Sequence, residues 1–335
     1  ADIDPFMGVE EAARRRDFTM NAMMRDALTG ALIDRFGGQA DIQNRVIRHV
    51  DERTFRRDPL RAIRAAQFAA RLEFAIAPET MALCQTLDLD GLARERVMGE
   101  MEKALTRSRR PSRCFEALRE MGQLEPWLKE VAALIGVKQR ADCHPEGDAW
   151  THTMLVVDEA AKLRDEAKNP TGLMLAALLH DVGKAVAMQE KDGVIHAYGH
   201  ETAGVPLAEE FLRRLTGEKA LCRYVLNMVE LHMKPNMYAA QNSGQKAWNR
   251  LFDRSACPED LLLLAKADHR GRINAAPYAE TERTIRARLS AFEEMMARPH
   301  ITGADLLARG IQPGEEMGRL LEEAHRLRLA GVKKE

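Results

Sequence analysis

The stretch LMLAALLHDVGK, Leu173–Lys184, is an apolar run that ends in an imidazole and a carboxylate side by side, His180 and Asp181. Packing alone gives a buried helix no reason to finish this way, because both groups lose hydration when they follow the run towards the core. Successive helical side chains point about 100° apart, so the pair grips a metal only with help from other helices. Such help is present. His152 stands at the start of an amphipathic run, WTHTMLVVDEAA (150–161), and Asp268 stands in LLLLAKADHRGR (261–272), where four leucines again lead into a carboxylate. Histidine and carboxylate ligands without thiolate favour a divalent ion of intermediate hardness, such as nickel, manganese, iron, cobalt or magnesium, over a structural zinc. His200 in YGHETAG and His232 in VELHMKP lie between the pair and Asp268. They are candidates for a second metal or a phosphate; read singly, each is equally a hydrogen-bonded surface histidine.

Composition bounds the rest. The 335 residues are 45% hydrophobic, 30% charged and only 5% aromatic, enough for a sizeable core in two or three helical units. Lys plus Arg (50) balance Asp plus Glu (51), so contact with nucleic acid must come from local patches. The five cysteines, Cys84, Cys114, Cys143, Cys222 and Cys257, form no C-x-x-C pair, which suits a reducing compartment. No apolar run approaches the roughly 20 residues that span a bilayer, and ADIDPFMG lacks the features of a signal peptide. The expected location is the cytoplasm, with no membrane partner. Nothing in the chain signals an oligomeric state.

The fold class expected is mainly α. Residues 1–55 alone carry strand and turn signals, in GALIDRFGG (30–38) and NRVIRHV (44–50), and form a short α/β unit. Residues 56–140 follow as a helical neck or body, with Leu60, Ile63, Arg64, Phe68 and Leu72 at three- and four-residue steps. Residues 141–290 form an all-helical unit holding most of the histidines, and 291–335 a charged helical tail.

The order of His152, His180-Asp181, two further histidines and Asp268, in HPEGDAWTHT, LLHDVGK and KADHRGR, resembles the HD phosphohydrolase superfamily over residues 144 to about 272. The resemblance implies His152, His180, Asp181 and Asp268 as metal ligands and His180, Asp181 and Lys184 as catalytic, with Lys184 on a phosphate. Lys184 follows Gly183, where the helix is expected to stop; the plainer reading is a lysine drawn to a helix C-terminus by the dipole.

The first half narrows the substrate. RRRDFTMNAM (14–23) sets three arginines against Asp17, with Asn21 four residues on. Arginine forks bind phosphate oxygens in pairs, so the cluster suits a triphosphate; alone, it is equally a solvated basic helix start. FRRDPLRAIRAAQFAARLEF (55–74) then places Asp58 and Arg61 three apart on one helical face, an acceptor and donors for the edge of a base. Arg64 and Arg71 fall where they salt-bridge or touch phosphate, and LARERVMGEMEKAL (92–105) sets Arg96 and Glu100 at i, i+4. These elements resemble the bacterial class II tRNA nucleotidyltransferases, the CCA-adding enzymes and their poly(A) polymerase relatives, from about Gly8 to Pro126. By that resemblance Arg15, Arg16, Asp17, Asn21, Asp58, Arg61 and Arg64 bind nucleotide, and Asp34, Gly37, Gly38 and Asp41 form the hinge between head and neck. It implies CTP, ATP and tRNA as partners, with magnesium accompanying the nucleotides.

Two departures stand out. Arg57 occupies the position where the family usually has a glutamate before the template aspartate. Family members also place a head of roughly a hundred residues before the arginine cluster, with a glycine-rich loop and paired carboxylates holding two magnesium ions. Here 13 residues precede Arg14, and Asp2 and Asp4 have the D-x-D form without a glycine loop before them. The 1–55 unit is therefore expected to be a remnant of that head, lacking the polymerising metal site.

Between Arg94 and Arg113 seven basic residues face three acidic ones, and LTRSRRPSR offers Arg107, Arg109, Arg110 and Arg113 to an RNA backbone, read by shape. The alternative is an ordinary solvated loop. Low aromatic content argues against single-strand stacking as the main mode. The function expected is maturation and repair of tRNA 3′ ends, with a metal-dependent HD site that hydrolyses 2′,3′-cyclic phosphates and 2′ or 3′ phosphates. The alternatives are a stand-alone HD phosphohydrolase of free nucleotides, separable by loss of tRNA binding, and a non-catalytic RNA-binding module.

Overall fold

A computed structural model describes residues 7–140, 144–191, 194–297 and 299–332. Asp2, Asp4 and Cys143 lie outside the described residues. The architecture is mainly helical, as the periodicity predicts, and among the described residues strands occur only as three short pairs. Met24–Arg25 pairs antiparallel with Leu32–Ile33, and Val46–Ile47 pairs parallel with Ala75–Ile76. The partner strand of that second pair comes from beyond the helix Leu60–Leu72, so the two segments meet across residue 55.

Leu60–Leu72 is the beam of the neck. It starts after Pro59, whose fixed φ suits a helix start, and ends at Glu73 in the left-handed conformation. Five buried alanines, Ala62, Ala65, Ala66, Ala69 and Ala70, combine high helix propensity with small bulk. The helices Arg94–Arg107 and Ser112–Glu120 both pack against it. Asp58 precedes this helix instead of sharing a face with Arg61, which corrects the sequence expectation.

The second half is organised around Pro170–Leu179, the helix of the opening motif. Asn169 caps it, Pro170 fills its first turn, and every residue from Gly172 to Leu179 is buried. Helices Ala149–Leu163, Lys219–Leu231 and Pro258–Arg270 surround it, together with Arg94–Arg107 of the neck. One buried carboxylate ties these elements together: Asp260 accepts from the backbone N–H of Lys168 and Asn169 (2.8 and 2.9 Å) and from the Tyr224 hydroxyl (2.6 Å). The hydrophobic core runs continuously from Phe18 to Leu329. The expected division at 290 falls inside the helix Ala279–Met296. The last helix of the tail, Glu315–Leu329, packs on Gln245–Arg254, where Asn249 donates to the Leu329 carbonyl (3.1 Å). Among the described residues no helix is long and apolar enough to cross a membrane.

Candidate functional site

The polar pair that ends the central helix meets side chains from four other elements. His152 comes from the first turn of Ala149–Leu163, His200 begins His200–Leu215, His232 follows Lys219–Leu231, and Asp268 lies in the last turn of Pro258–Arg270. His152, His180 and His232 are fully buried, and Asp181 and Asp268 nearly so. Asp181 is central. Its Oδ2 lies 3.1 Å from His180 Nε2 and 3.7 Å from His152 Nε2, while its Oδ1 lies 3.1 Å from His200 Nε2 and 3.8 Å from His232 Nε2. Asp268 Oδ1 completes the first side at 3.1 Å from His152 Nε2. The carboxylate therefore joins two clusters: His152 and His180 on one oxygen, His200 and His232 on the other.

The remaining ring nitrogens explain why these imidazoles can act as ligands. Nδ1 of His180, His200 and His232 lies 2.9, 2.8 and 2.7 Å from the carbonyl oxygens of Ala177, Ala197 and Val229, in each case three residues back. A carbonyl only accepts, so Nδ1 carries a proton and Nε2 faces the cluster, where it donates to a carboxylate when the ring is protonated and offers a lone pair to a cation when it is neutral. His152 Nδ1 is held the same way by Glu146 Oε1 (2.8 Å), which also takes His144 Nδ1 (2.8 Å). Orientation of a ligating histidine by a carboxylate or carbonyl is the usual support of a metal site. His180 Nε2 and Asp268 Oδ2 are buried without a hydrogen-bond partner, a costly arrangement that a cation relieves. The donor set thus fits a divalent ion.

Electrostatics point the same way. Burial pushes Asp181 upwards, but His180 and Lys184 outweigh it and hold the carboxyl well below its usual range. Asp268 is likewise driven down, burial being overcome by the hydrogen bond with His152 and by Arg272. The carboxylates in turn raise His152 and His200 against the effect of burial, whereas burial and the charge of His180 push His232 down to about 3. Ionised carboxylates in a buried cluster create a strong demand for positive charge.

Beside the cluster opens a cavity of about 300 Å³, lined by Gln139, His144, Lys184, Tyr198, Asp268 and Arg272 among others. Lys184 Nζ lies 2.6 Å from Asp181 Oδ2 and donates to Gln139 Oε1 at 2.6 Å. The helix stops at Leu179, earlier than expected, and Lys184 begins the short helix Lys184–Ala187. Dipole attraction to a helix C-terminus is therefore not what places this lysine. Glu146, His144, Gln139 and Arg272 were not singled out from the sequence. Glu146 and His144 stand within HPEGDAWTHT, but nothing in their spacing shows that one carboxylate orients two rings.

A second cavity, of about 770 Å³, lies in the neck, and all seven candidate nucleotide-binding residues line it: Arg15, Arg16, Asp17, Asn21, Asp58, Arg61 and Arg64. Arg64 is its hub, donating to Asp17 Oδ2 (2.8 Å) and Glu100 Oε1 (3.1 Å). Asn21 donates to Asp17 Oδ1 (3.0 Å). Arg61 braces the backbone through the carbonyls of Thr54 (2.9 Å) and Arg15 (2.7 Å), and Arg96 pairs with Asp58 (2.7 Å), not with Glu100. Arg71 sits over the Phe68 ring. Arg15 and Arg16 stay exposed at the rim.

The four expected hinge residues form a tight local network. Asp34 accepts from the backbone N–H of Gly38 and Gln39 (both 2.9 Å), capping the helix Gly38–Gln43, and Gly37 adopts φ +74°. Asp41 accepts from Thr19 Oγ1 (2.7 Å) and Arg48 Nε (3.2 Å). In the basic run, Arg94, Arg96 and Lys103 are paired with Glu95, Asp58 and Glu100. Arg107, Arg109 and Arg110 are exposed and Arg113 half-buried, with Arg110 Nε 3.2 Å from Asp158.

Family models match this layout in three places: the Poly A polymerase head domain at residues 5–48, the probable RNA and SrmB-binding site of polymerase A at 73–135, and the HD domain at 149–292. The multifunctional CCA protein of Burkholderia cenocepacia (strain HI2424) is 39% identical over 346 aligned residues, 98% of this chain and 79% of that protein. The chain belongs to the multifunctional CCA protein family. Another member, from Actinobacillus pleuropneumoniae serotype 5b, is 36% identical over 99% of this chain and 80% of its own length. The chain is thus an enzyme of the CCA-adding nucleotidyltransferase family that carries an HD domain. The fold agrees with more distant solved structures: the Bacillus stearothermophilus CCA-adding enzyme in complex with CTP (TM-score 0.57, 24% identity, 98% of this chain and 72% of that one) and the Thermotoga maritima CCA-adding enzyme complexed with tRNA (TM-score 0.58, 17% identity, 98% and 71%).

Proposed function

We propose that this chain matures and repairs tRNA 3′ ends in the cytoplasm, and that its HD cluster hydrolyses the 2′,3′-cyclic phosphates and 2′ or 3′ phosphates that block such ends. The observation that carries the reading is the convergence of four Nε2 atoms on the carboxylates of Asp181 and Asp268 beside a cavity with Lys184 and Arg272. His152, His180, Asp181 and Asp268 would hold a divalent ion, either nickel, manganese, cobalt or magnesium, and His200 with His232 a second ion or a phosphate. A bound divalent ion lowers the pKa of water towards neutrality and withdraws charge from phosphoryl oxygens. The protein's own contribution is to keep both carboxylates ionised, to aim each imidazole by its Nδ1 bond, and to set Lys184 and Arg272 against phosphate charge.

In the same reading the neck cavity takes CTP or ATP with magnesium. Arg15 and Arg16 meet the phosphates, Arg64 holds Asp17 and Asn21 in place, and Asp58 and Arg61 present an acceptor and donors to the base. Asp34, Gly37, Gly38 and Asp41 serve as the hinge. The exposed arginines Arg107, Arg109, Arg110 and Arg113 follow the RNA backbone, which needs positive charge and little sequence information.

The test uses this chain loaded in turn with nickel, manganese, cobalt or magnesium against a tRNA ending in a 2′,3′-cyclic phosphate, beside Asp181→Ala. Metal-dependent opening that the variant lacks is expected, as is salt-sensitive tRNA binding weakened by Arg107→Glu with Arg109→Glu. Binding of tRNA without opening of the cyclic end refutes the phosphoesterase reading. Hydrolysis of small nucleotides without tRNA binding transfers the activity to a free-nucleotide phosphohydrolase.

A further inference from the structure

The lining of the cavity beside the HD cluster combines charged, apolar and aromatic side chains. Past His200 its wall continues along the chain into Ala197 and the rings of His196 and Tyr198, with Met188 and Ile195 beside them. The two rings stack nearly parallel, with centroids 4.8 Å apart and planes 14° from each other. Tyr198 is 82% exposed, the most exposed aromatic ring among the large hydrophobic side chains of the described residues, and Met188 is 39% exposed. An exposed flat ring that lines a polar cavity has a free face to offer a flat ligand.

We propose that the His196–Tyr198 stack is a nucleobase subsite, which takes the base of a single nucleotide whose phosphate lies towards Lys184, Arg272 and the histidine cluster. The inference rests on the phosphoesterase reading and supplies what that reading lacks, a way to recognise the nucleoside. A volume of about 300 Å³ is at the small end of ligand sites, so the cavity suits one nucleotide and not a length of strand. Met188 and Ile195, which line the same cavity, add apolar surface. Every base has a π face, so stacking here tolerates all four bases. With aromatics only 5% of the chain, the location of this tyrosine matters more than the overall count.

The test compares wild type, Tyr198→Ala and Tyr198→Phe as full chains loaded with nickel, using adenosine 2′-monophosphate and base-free glycerol 2-phosphate. Because Tyr198 is exposed, its removal leaves the core intact. Tyr198→Ala is expected to raise KM for the nucleotide about tenfold with kcat little changed, while Tyr198→Phe stays near wild type. Hydrolysis of glycerol 2-phosphate should be the same in all three. Binding of adenosine 2′-monophosphate by calorimetry should weaken by the same factor in Tyr198→Ala. Equal effects on both substrates, or no effect on the nucleotide, overturn the subsite. If wild type hydrolyses neither compound, the phosphoesterase reading fails, and calorimetry alone decides the subsite: tenfold weaker binding in Tyr198→Ala supports it, and unchanged or undetectable wild-type binding overturns it.

Discussion

Adding one methyl group at Gly183 should dismantle the HD cluster. Gly183 has φ −66° and ψ −18°, a conformation any residue adopts, so alanine brings no backbone strain of its own. The difficulty is space. A Cβ there runs into the carbonyl oxygen of His200 and comes within 2.6 Å of Gly204 N and 2.9 Å of Gly204 Cα, all backbone atoms that cannot swing aside. Ordinary contact begins at 3.4 Å, so the start of His200–Leu215 must retreat by at least about 0.8 Å. His200 Nε2, now 3.1 Å from Asp181 Oδ1, would move out towards 4 Å and leave that oxygen's cluster incomplete. Overpacking of this kind costs about 1–3 kcal/mol, a fall in Tm of roughly 1–4 °C for a chain of this length. A displacement near 1 Å at a catalytic group costs about 100-fold in rate. Thermal unfolding, nickel titration by calorimetry and cyclic-phosphate hydrolysis on Gly183→Ala would report each effect. A variant with wild-type Tm and wild-type nickel affinity would refute the argument, since the close approach would then play no part in placing His200.

Three further outcomes are expected. Glu146→Gln, which keeps an acceptor but removes the charge that orients His152, should weaken metal binding about 10-fold and Glu146→Ala up to 100-fold, measured by competition with a chelator; unchanged affinity in Glu146→Ala would sink the orienting role. Arg64→Ala removes the cation that Asp17 shares with the buried Glu100, which keeps Lys103, and should cost about 1.5–3 kcal/mol in urea unfolding, a loss below about 0.5 kcal/mol counting against the hub. Asp148 caps Ala149–Leu163 through the backbone N–H of Thr151 (2.9 Å) and also accepts from Gly136 N (2.7 Å). Burial raises its carboxyl, but these bonds outweigh it and hold the folded pKa below the ordinary 3.8. A depressed carboxyl stabilises above its unfolded pKa and loses that contribution as pH falls through the folded value. Asp148→Ala should therefore lose about 1 kcal/mol at pH 7, with the gap to wild type narrowing below pH 4. A gap independent of pH would show that the charged form is not what caps the helix.

Much of the helical framework is legible from local pattern, because amphipathic periodicity and proline breaks act within one element. Leu60, Ile63 and Phe68 mark the buried face of the neck helix, and the apolar run before His180 is as buried as its composition demands. Boundaries were harder. The strand Ala75–Ile76 is two residues long and gains its meaning only by pairing with Val46–Ile47, and Ala279–Met296 runs through the expected division at 290. Pairings also escaped the sequence. Arg96 and Glu100 have the spacing of an i, i+4 pair, yet Arg96 takes Asp58 and Glu100 takes Arg64 and Lys103, since partners from neighbouring helices offer better geometry than one helix surface does.

The sequence by itself determined the inventory: a mainly helical chain, histidines and aspartates at the ends of buried runs, and an arginine cluster beside Asp17 and Asn21. Those are properties of residue type and spacing along one chain. Tertiary structure alone decided that Asp181 joins two pairs of histidines, that Glu146 orients His152, that Lys184 faces the cluster, and that Tyr198 lines the cavity beside it. These depend on how helices far apart in sequence cross, and a crossing is set by packing such as the close approach of Gly183 to Gly204, which no local pattern encodes.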